Sequence, residues 1–233
     1  MLRREWRLAV IALQLLAVSW PVKAQGVIAP EEIVIHLSRE VGDRRFVKPL
    51  AQRLACLLRP PARFVPAAFD VRPFVPAQGQ VDAEKLFPGF AGSLGAQGDV
   101  MHVLVITQDM RLTPYRYVFS ASGGGPEPKL RILVVSLARL QDKVGHDTDP
   151  EATAARMGKL IAKNTARLSG YAAGNACVLS FPNNLGELDA MHADFCARDR
   201  AVLEAAGVAG GEDCRPPVAG ISPGITRLAG LGP

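Results

Sequence analysis

Asp99-Val-Met-His-Val-Leu-Val-Ile-Thr107 is nearly continuous apolar sequence rich in β-branched residues, the composition of a strand covered on both faces. Such a strand belongs at the centre of a sheet. Upstream, Glu32–Ser38 (EIVIHLS) alternates apolar and polar residues as a half-buried strand does. Between the two, Asp43–Leu58 carries Phe46, Val47, Leu50, Leu54, Leu57 and Leu58 at helical spacing and is stopped by Arg59-Pro60-Pro61, whose prolines supply no amide donors. Arg63–Val71 is extended, with prolines that suit a sheet edge, and Val81–Leu94 is a weaker helix interrupted by Pro88.

Downstream, Tyr115–Ser122 (YRYVFSAS) and Leu130–Ser136 (LRILVVS) read as two further strands. Gly123-Gly124-Gly125-Pro126 joins them as a turn; a phosphate-cradling loop would need a helix to start at once, and none does. The best-signalled helix has Asp149 as cap, Pro150 in the first turn, Glu151 at the positive end, and a stripe of Met157, Leu160, Ile161 and Leu168; it ends near Gly170 or Gly174. A loop at 175–184 leads to a short helix from Leu185 to about Met191 and a second from about Asp194 to Ala206. Residues 207–233, rich in Gly and Pro, read as a tail or extended arm.

The 233 residues are 48% apolar and 21% charged, which excludes a wholly disordered chain and a multi-span membrane protein. The formal charge of +5 is concentrated at one end. Arg3, Arg4, Arg7 and Lys23 flank an apolar run from Leu8 to Trp20 that closes in Val22-Lys23-Ala24, the layout of a signal peptide over residues 1–24. The run is short against the roughly 20 residues that span a bilayer. Cleavage leaves 23 Lys+Arg against 21 Asp+Glu, so no basic patch for nucleic acid and no stable membrane anchor persist in the mature chain. Arg3-Arg4 fits a twin-arginine signal only loosely, and ordinary secretion is expected. A secreted or periplasmic location makes the four cysteines, Cys56, Cys177, Cys196 and Cys214, candidates for disulfides, with three pairings open.

Tyr117-Val-Phe-Ser-Ala, then Val134-Val-Ser-Leu-Ala-Arg-Leu140, the long helix, Cys177-Val-Leu-Ser-Phe-Pro-Asn-Asn-Leu-Gly-Glu-Leu-Asp189 and Phe195-Cys196 resemble, in that order, the archaemetzincin family of zinc metallopeptidases. The resemblance covers roughly residues 30–205. It implies an α+β, metzincin-like fold: a twisted, mostly parallel mixed sheet of four to five strands with packed helices and a smaller helical C-terminal part. Residues 25–206 would form that domain, 25–174 its sheet-and-helix part and 175–206 its C-terminal part, with a cleft between them.

Family members carry HExxHxxGxxHC on the helix and its exit: histidines four apart share one zinc, a glutamate activates the bound water, and a third histidine follows the glycine turn. With Gly170 on the motif glycine, the ligand positions hold Lys163, Arg167 and Ala173, and Asn164 stands in place of the base. A second register puts Ile161, Ala162, Thr165 and Tyr171 in the four roles; neither restores a histidine. Cations at ligand positions oppose a dication by Coulomb repulsion. Of the four cysteines that hold the family's structural zinc, only Cys177 and Cys196 have counterparts; Asp199 stands for the last and Leu179 replaces the methionine of the turn. The resemblance therefore implies a Cys177–Cys196 disulfide, leaving Cys56 and Cys214 as the remaining pair, and no zinc cofactor.

Other metal arrangements are sparse. His36, His102, His146 and His192 are scattered, and only Asp189, His192 and Cys196 fall at i, i+3 and i+7 of a helical repeat. His36 and His102 read as strand residues on one sheet face, Glu187 and Asp189 as helix-start charges, and Arg139 as one half of a structural pair. Lys163 and Arg167, four apart, read either as an anion site or as two solvated bases on a helix flank. Three functions follow: a pseudopeptidase retained to bind a peptide, anion or protein; a hydrolase using a non-standard site such as Asp189 and His192; or a disulfide-stabilised interaction domain.

Overall fold

The computed structural model describes residues 26–76, 79–95, 98–124, 130–141, 149–172 and 174–211. Along the chain these form β1 (Glu32–Leu37), α1 (Val47–Leu57), β2 (Ala62–Pro66), β3 (Gln80–Asp82), α2 (Ala83–Leu94), β4 (Val100–Ile106), β5 (Asp109–Arg111), β6 (Ser120–Gly124), β7 (Arg131–Ser136), α3 (Pro150–Leu168), α4 (Leu185–Ala190) and α5 (Ala197–Ala205). The main sheet has the order β2-β1-β4-β7-β6, parallel except for β6, which pairs antiparallel with β7. The mixed α/β architecture expected from the sequence is therefore present.

β4 is central because both its edges and both its faces are occupied. Ile35 and Leu133 flank Val103 in register, and Met101 through Ile106 are all buried. The alternation of side chains then splits the core in two. Ile33, Ile35, Met101, Val103, Val105, Leu133 and Val135 pack toward Leu50 and Leu54 of α1 and Met157, Leu160 and Ile161 of α3. Leu104, Ile106, Ile132 and Val134 face Leu86 and Phe90 of α2. α3 starts where its cap dictates: the Asp149 carboxylate accepts from the Glu151 amide, with Pro150 in the first turn. It stops before Gly170, whose φ of +93° suits glycine, and a Cβ there would sit 2.7 Å from the Gly26 carbonyl oxygen.

Two segments differ from the sequence expectation. Ser120–Gly124 forms the strand, with the Phe119 carbonyl accepting from the Ser136 amide of β7 just before it; Tyr115–Val118 does not join, because the Val118 amide donates to the Met110 carbonyl and the Tyr115 amide to that of Leu112. The chain from 109 to 119 instead folds back on itself, and β5 pairs in parallel with β3 in a separate two-stranded sheet. The tail also begins later than expected. Val208 and Ala209 are buried, and the Gly210 amide donates to the Leu57 carbonyl, so residues up to 211 dock on the end of α1. The expected signal peptide and residues 212–233 lie outside the described residues, as does the connection at 125–129. Among the described residues no helix is long and apolar enough to cross a membrane.

On the α2 face, His36 and His102 meet across neighbouring strands, Nε2 of one 3.0 Å from Nδ1 of the other, with the Phe90 ring edge-on to His36. Burial, with help from His102 and Arg63, pushes the His36 imidazole down to about 4. Burial and Arg63 also lower His102, against the pull of Glu32. Both rings are thus neutral in the folded chain, whereas the unfolded chain takes up protons near pH 6.5. Stability carried by neutral His36 is complete above that pH and is lost as pH falls toward 4. We expect urea unfolding to show a loss of about 2 kcal/mol over this window, after discounting for partial solvent access. His36→Gln should flatten the profile, and an unchanged acid slope in that variant would place the effect elsewhere.

Candidate functional site: a cationic helix face and the cleft beside it

α3 carries Arg156, Lys159, Lys163 and Arg167 at spacings of three, four and four, which aligns them on one face. Each donates to a carbonyl oxygen. Arg156 Nη1 bonds the Leu140 carbonyl at 2.6 Å, and its Nε and Nη2 hold both Asp189 carboxylate oxygens at 2.7 Å. Lys159 Nζ donates to the Leu188 and Asp189 carbonyls at 2.8 and 2.9 Å, which satisfies orphan acceptors at the end of α4. Lys163 Nζ reaches the Ser180 carbonyl at 3.4 Å, and Arg167 Nη2 that of Leu179 at 3.3 Å. The C-terminal part is thus pinned along its backbone to one side of α3.

A covalent tie and a buried hydrogen bond complete the attachment. Cys177 and Cys196 form a disulfide, and the Val178 amide donates to the Asp194 carbonyl. Tyr171 Oη donates to Asp199 at 2.6 Å; burial first and then this bond push the phenol up to about 12. Cys56 is also disulfide-bonded, while Cys214 lies outside the described residues.

A cleft of about 150 Å³ opens between the two parts. Tyr115 to Ser120 form one wall, Leu160 and Lys163 the floor, and Phe181 to Asn183 the other wall. Tyr117 Oη donates to the Asn183 carbonyl at 2.6 Å and bridges the walls. At the mouth, Tyr115 and Phe181 are 51% and 50% exposed with ring centroids 5.9 Å apart. Asn164 is anchored by the Leu160 carbonyl at 2.8 Å and lies 3.3 Å from Ser120 Oγ. A wider basin of about 560 Å³ shares Tyr115, Arg116 and Tyr117 with the cleft and is lined further by Gln80, Arg111 and Arg139. There Arg139 holds Asp109 at 2.7 and 2.8 Å and lies over the Tyr117 ring, as the structural pair expected of it.

Lys163 is not the solvated base that a helix flank suggested. It is 4% exposed, its Nζ lies 4.9 Å from the Phe181 ring centroid, and among the described residues no carboxylate pairs with it. Burial, reinforced by Arg167, pushes its amine down to about 8. Arg167 is exposed at the helix end, and Ala173 lies outside the described residues. In the second motif register, Ile161 and Ala162 sit in the core, Thr165 Oγ1 donates to the Ile161 carbonyl beside Met101, and Tyr171 is engaged by Asp199.

The alignment of Asp189, His192 and Cys196 does not exist in the fold. α4 ends at Ala190 and Cys196 precedes α5, so no helical face joins them. Asp189 is held by Arg156, Cys196 by Cys177, and His192 is exposed. Nor is Asp189 a helix-start charge; Glu187 alone occupies the first turn of α4 and receives the Asn183 and Asn184 donors. Among the described residues no group of three or more His, Cys, Asp or Glu is placed to hold a metal ion. His146 lies outside them. The residues around Lys163 do not fit zinc: one desolvated amine, an amide and a guanidinium offer no imidazole or carboxylate. The aromatic lining was not foreseen, since Tyr115, Tyr117 and Phe181 are brought together by tertiary contacts; the 3-4-4 spacing of four cations on α3 was there to be counted.

No family model matches the chain, and no curated protein does. Solved structures do share its fold. A zinc-dependent peptidase from Methanocorpusculum labreanum is 23% identical, with a TM-score of 0.53 over 73% of this chain and 99% of that one. Archaemetzincin from Methanopyrus kandleri is 19% identical, with a TM-score of 0.57 over 76% and 95%. Archaemetzincin from Archaeoglobus fulgidus, solved with malonate, is 16% identical, with a TM-score of 0.54 over 72% and 97%. The fold is therefore archaemetzincin-like across nearly the whole length of those chains.

A buried ammonium with one long hydrogen bond is an expense to the fold. Lys163→Met should raise stability at pH 7 by about 1 kcal/mol. With the folded amine near 8 and the unfolded one near 10.5, the penalty is full below pH 8 and fades as pH rises to 10.5, so the gain should vanish there. Denaturant unfolding at both pH values tests this; a loss at pH 7 would show that the ammonium holds the wall.

Proposed function

We propose that this chain is a degenerate member of the archaemetzincin family, an exported pseudopeptidase that binds a peptide, anionic or protein ligand in the cleft without a catalytic zinc. The observation that carries this reading is Lys163, an amine buried on the cleft floor and bonded to the Ser180 carbonyl, which takes the place of a motif histidine in the register that sets Gly170 on the motif glycine. Arg167 and Asn164 follow at the second histidine and the base. A zinc peptidase site needs neutral imidazoles at the first two places and a carboxylate at the third, not two cations and an amide.

Other features agree. Where the family holds its second zinc stand the Cys177–Cys196 disulfide and Asp199, which accepts from Tyr171; the disulfide is compatible with an oxidising compartment and with residues 1–24 acting as an export signal. β6 lies at the sheet edge, and its first residue, Ser120, lines the cleft. An edge strand beside a cleft presents main-chain donors and acceptors to an extended peptide.

The test is elemental analysis of the mature chain, produced by export and without a metal-binding tag. Near-zero zinc in folded protein is expected, together with no chelator-sensitive proteolysis. About one zinc per chain, or peptide cleavage abolished by a chelator, would overturn the reading.

A further inference from the structure

The cleft floor holds a cation that its surroundings leave underused. An ammonium has three donors, and Lys163 Nζ has the Ser180 carbonyl at 3.4 Å and the face of Phe181. The cleft lining contains no Asp or Glu; its other charged residue is Arg116, which forms no ion pair among the described residues. The remaining lining is dominated by Tyr115, Tyr117, Phe119 and Phe181. The three bases sharing the face of α3 with Lys163 are each engaged, Arg156 by Asp189, Lys159 by two carbonyls and Arg167 by Leu179. The unmatched positive charge is thus concentrated at the bottom of an aromatic pocket.

Size narrows the occupant. A volume of about 150 Å³ is that of an apolar cavity known to admit one benzene ring. Exposed Tyr115 and Phe181 at the mouth offer ring faces and edges for stacking. An anion that enters gains a charge-assisted hydrogen bond from an amine already stripped of water. We propose that the cleft binds an aromatic carboxylate, its ring between Tyr115, Tyr117 and Phe181 and its carboxylate on Lys163 Nζ. A free arylalkanoic acid and the C-terminal aromatic residue of a peptide share this chemistry. The inference rests on reading the cleft as a metal-free binding site.

Isothermal titration of the full mature chain with N-acetyl-phenylalanine, N-acetyl-phenylalaninamide and phenylacetate tests it. The acetylated acid should bind at least tenfold more tightly than its amide. Lys163→Met should lose that preference while Lys163→Arg keeps part of it, with circular dichroism showing both variants folded. Binding of phenylacetate as well would mark a free acid as sufficient; binding of the acetylated acid alone would point to a peptide C-terminus. Equal affinity for acid and amide, an unchanged preference in Lys163→Met, or no binding of either acid would overturn the proposal. An amidated extended peptide that binds while both acids fail would leave the pseudopeptidase reading standing, whereas zinc in the protein would remove that reading itself.

Discussion

The hold of α3 on the backbone that follows it is the constraint on which the cleft depends. The C-terminal part offers short helices and turns, whose ends leave carbonyl oxygens without partners. Lys159, Lys163 and Arg167 supply those partners, from the Leu188 and Asp189 carbonyls to that of Leu179, while Arg156 grips the Asp189 carboxylate and, before the helix, the Leu140 carbonyl. Because buried donors and acceptors are costly alone, each side makes the other affordable. The geometry of Phe181 and Asn183, and hence the shape of one cleft wall, is inherited from this arrangement. Leu188, Met191 and Phe195 then add apolar packing against the same core.

The same helix face carries the functional argument. It presents positive charge, most of it engaged by carbonyl oxygens, with the Lys163 amine left facing the cleft. A shared fold does not carry a shared chemistry, which has to be argued from the side chains at the site. Likeness at 16 to 23% identity speaks for the scaffold alone. The side chains around Lys163 speak for the rest.

Much of the scaffold was legible. Asp99–Thr107 named the central strand because an uninterrupted apolar run of that length needs cover on both faces, and β4 receives it from three helices. Asp149, Pro150 and Gly170 marked the limits of α3 through capping and positive φ, which are local physics. What could not be read was set by distant partners. Gln80–Asp82 and Asp109–Arg111 are three residues each, too short for periodicity, and exist as strands through each other. Tyr115–Val118 alternates like a strand but bonds back to Leu112 and Met110. Lys163 looked solvated because the turn that buries it lies 17 residues downstream. At the site, the identity of the residues on α3 was legible, but their burial and aromatic surroundings were not.

The Cys177–Cys196 bond closes a loop that contains Phe181, Pro182 and Asn183, the entire far wall of the cleft, while the sheet and α3 lie outside it. Reducing that one bond would remove a covalent restraint from the wall and leave its hydrogen bonds to Tyr117, Lys159, Lys163 and Arg167 in place. The wall is thus tied in two chemically different ways, by a covalent closure within its own loop and by donors that reach it from outside.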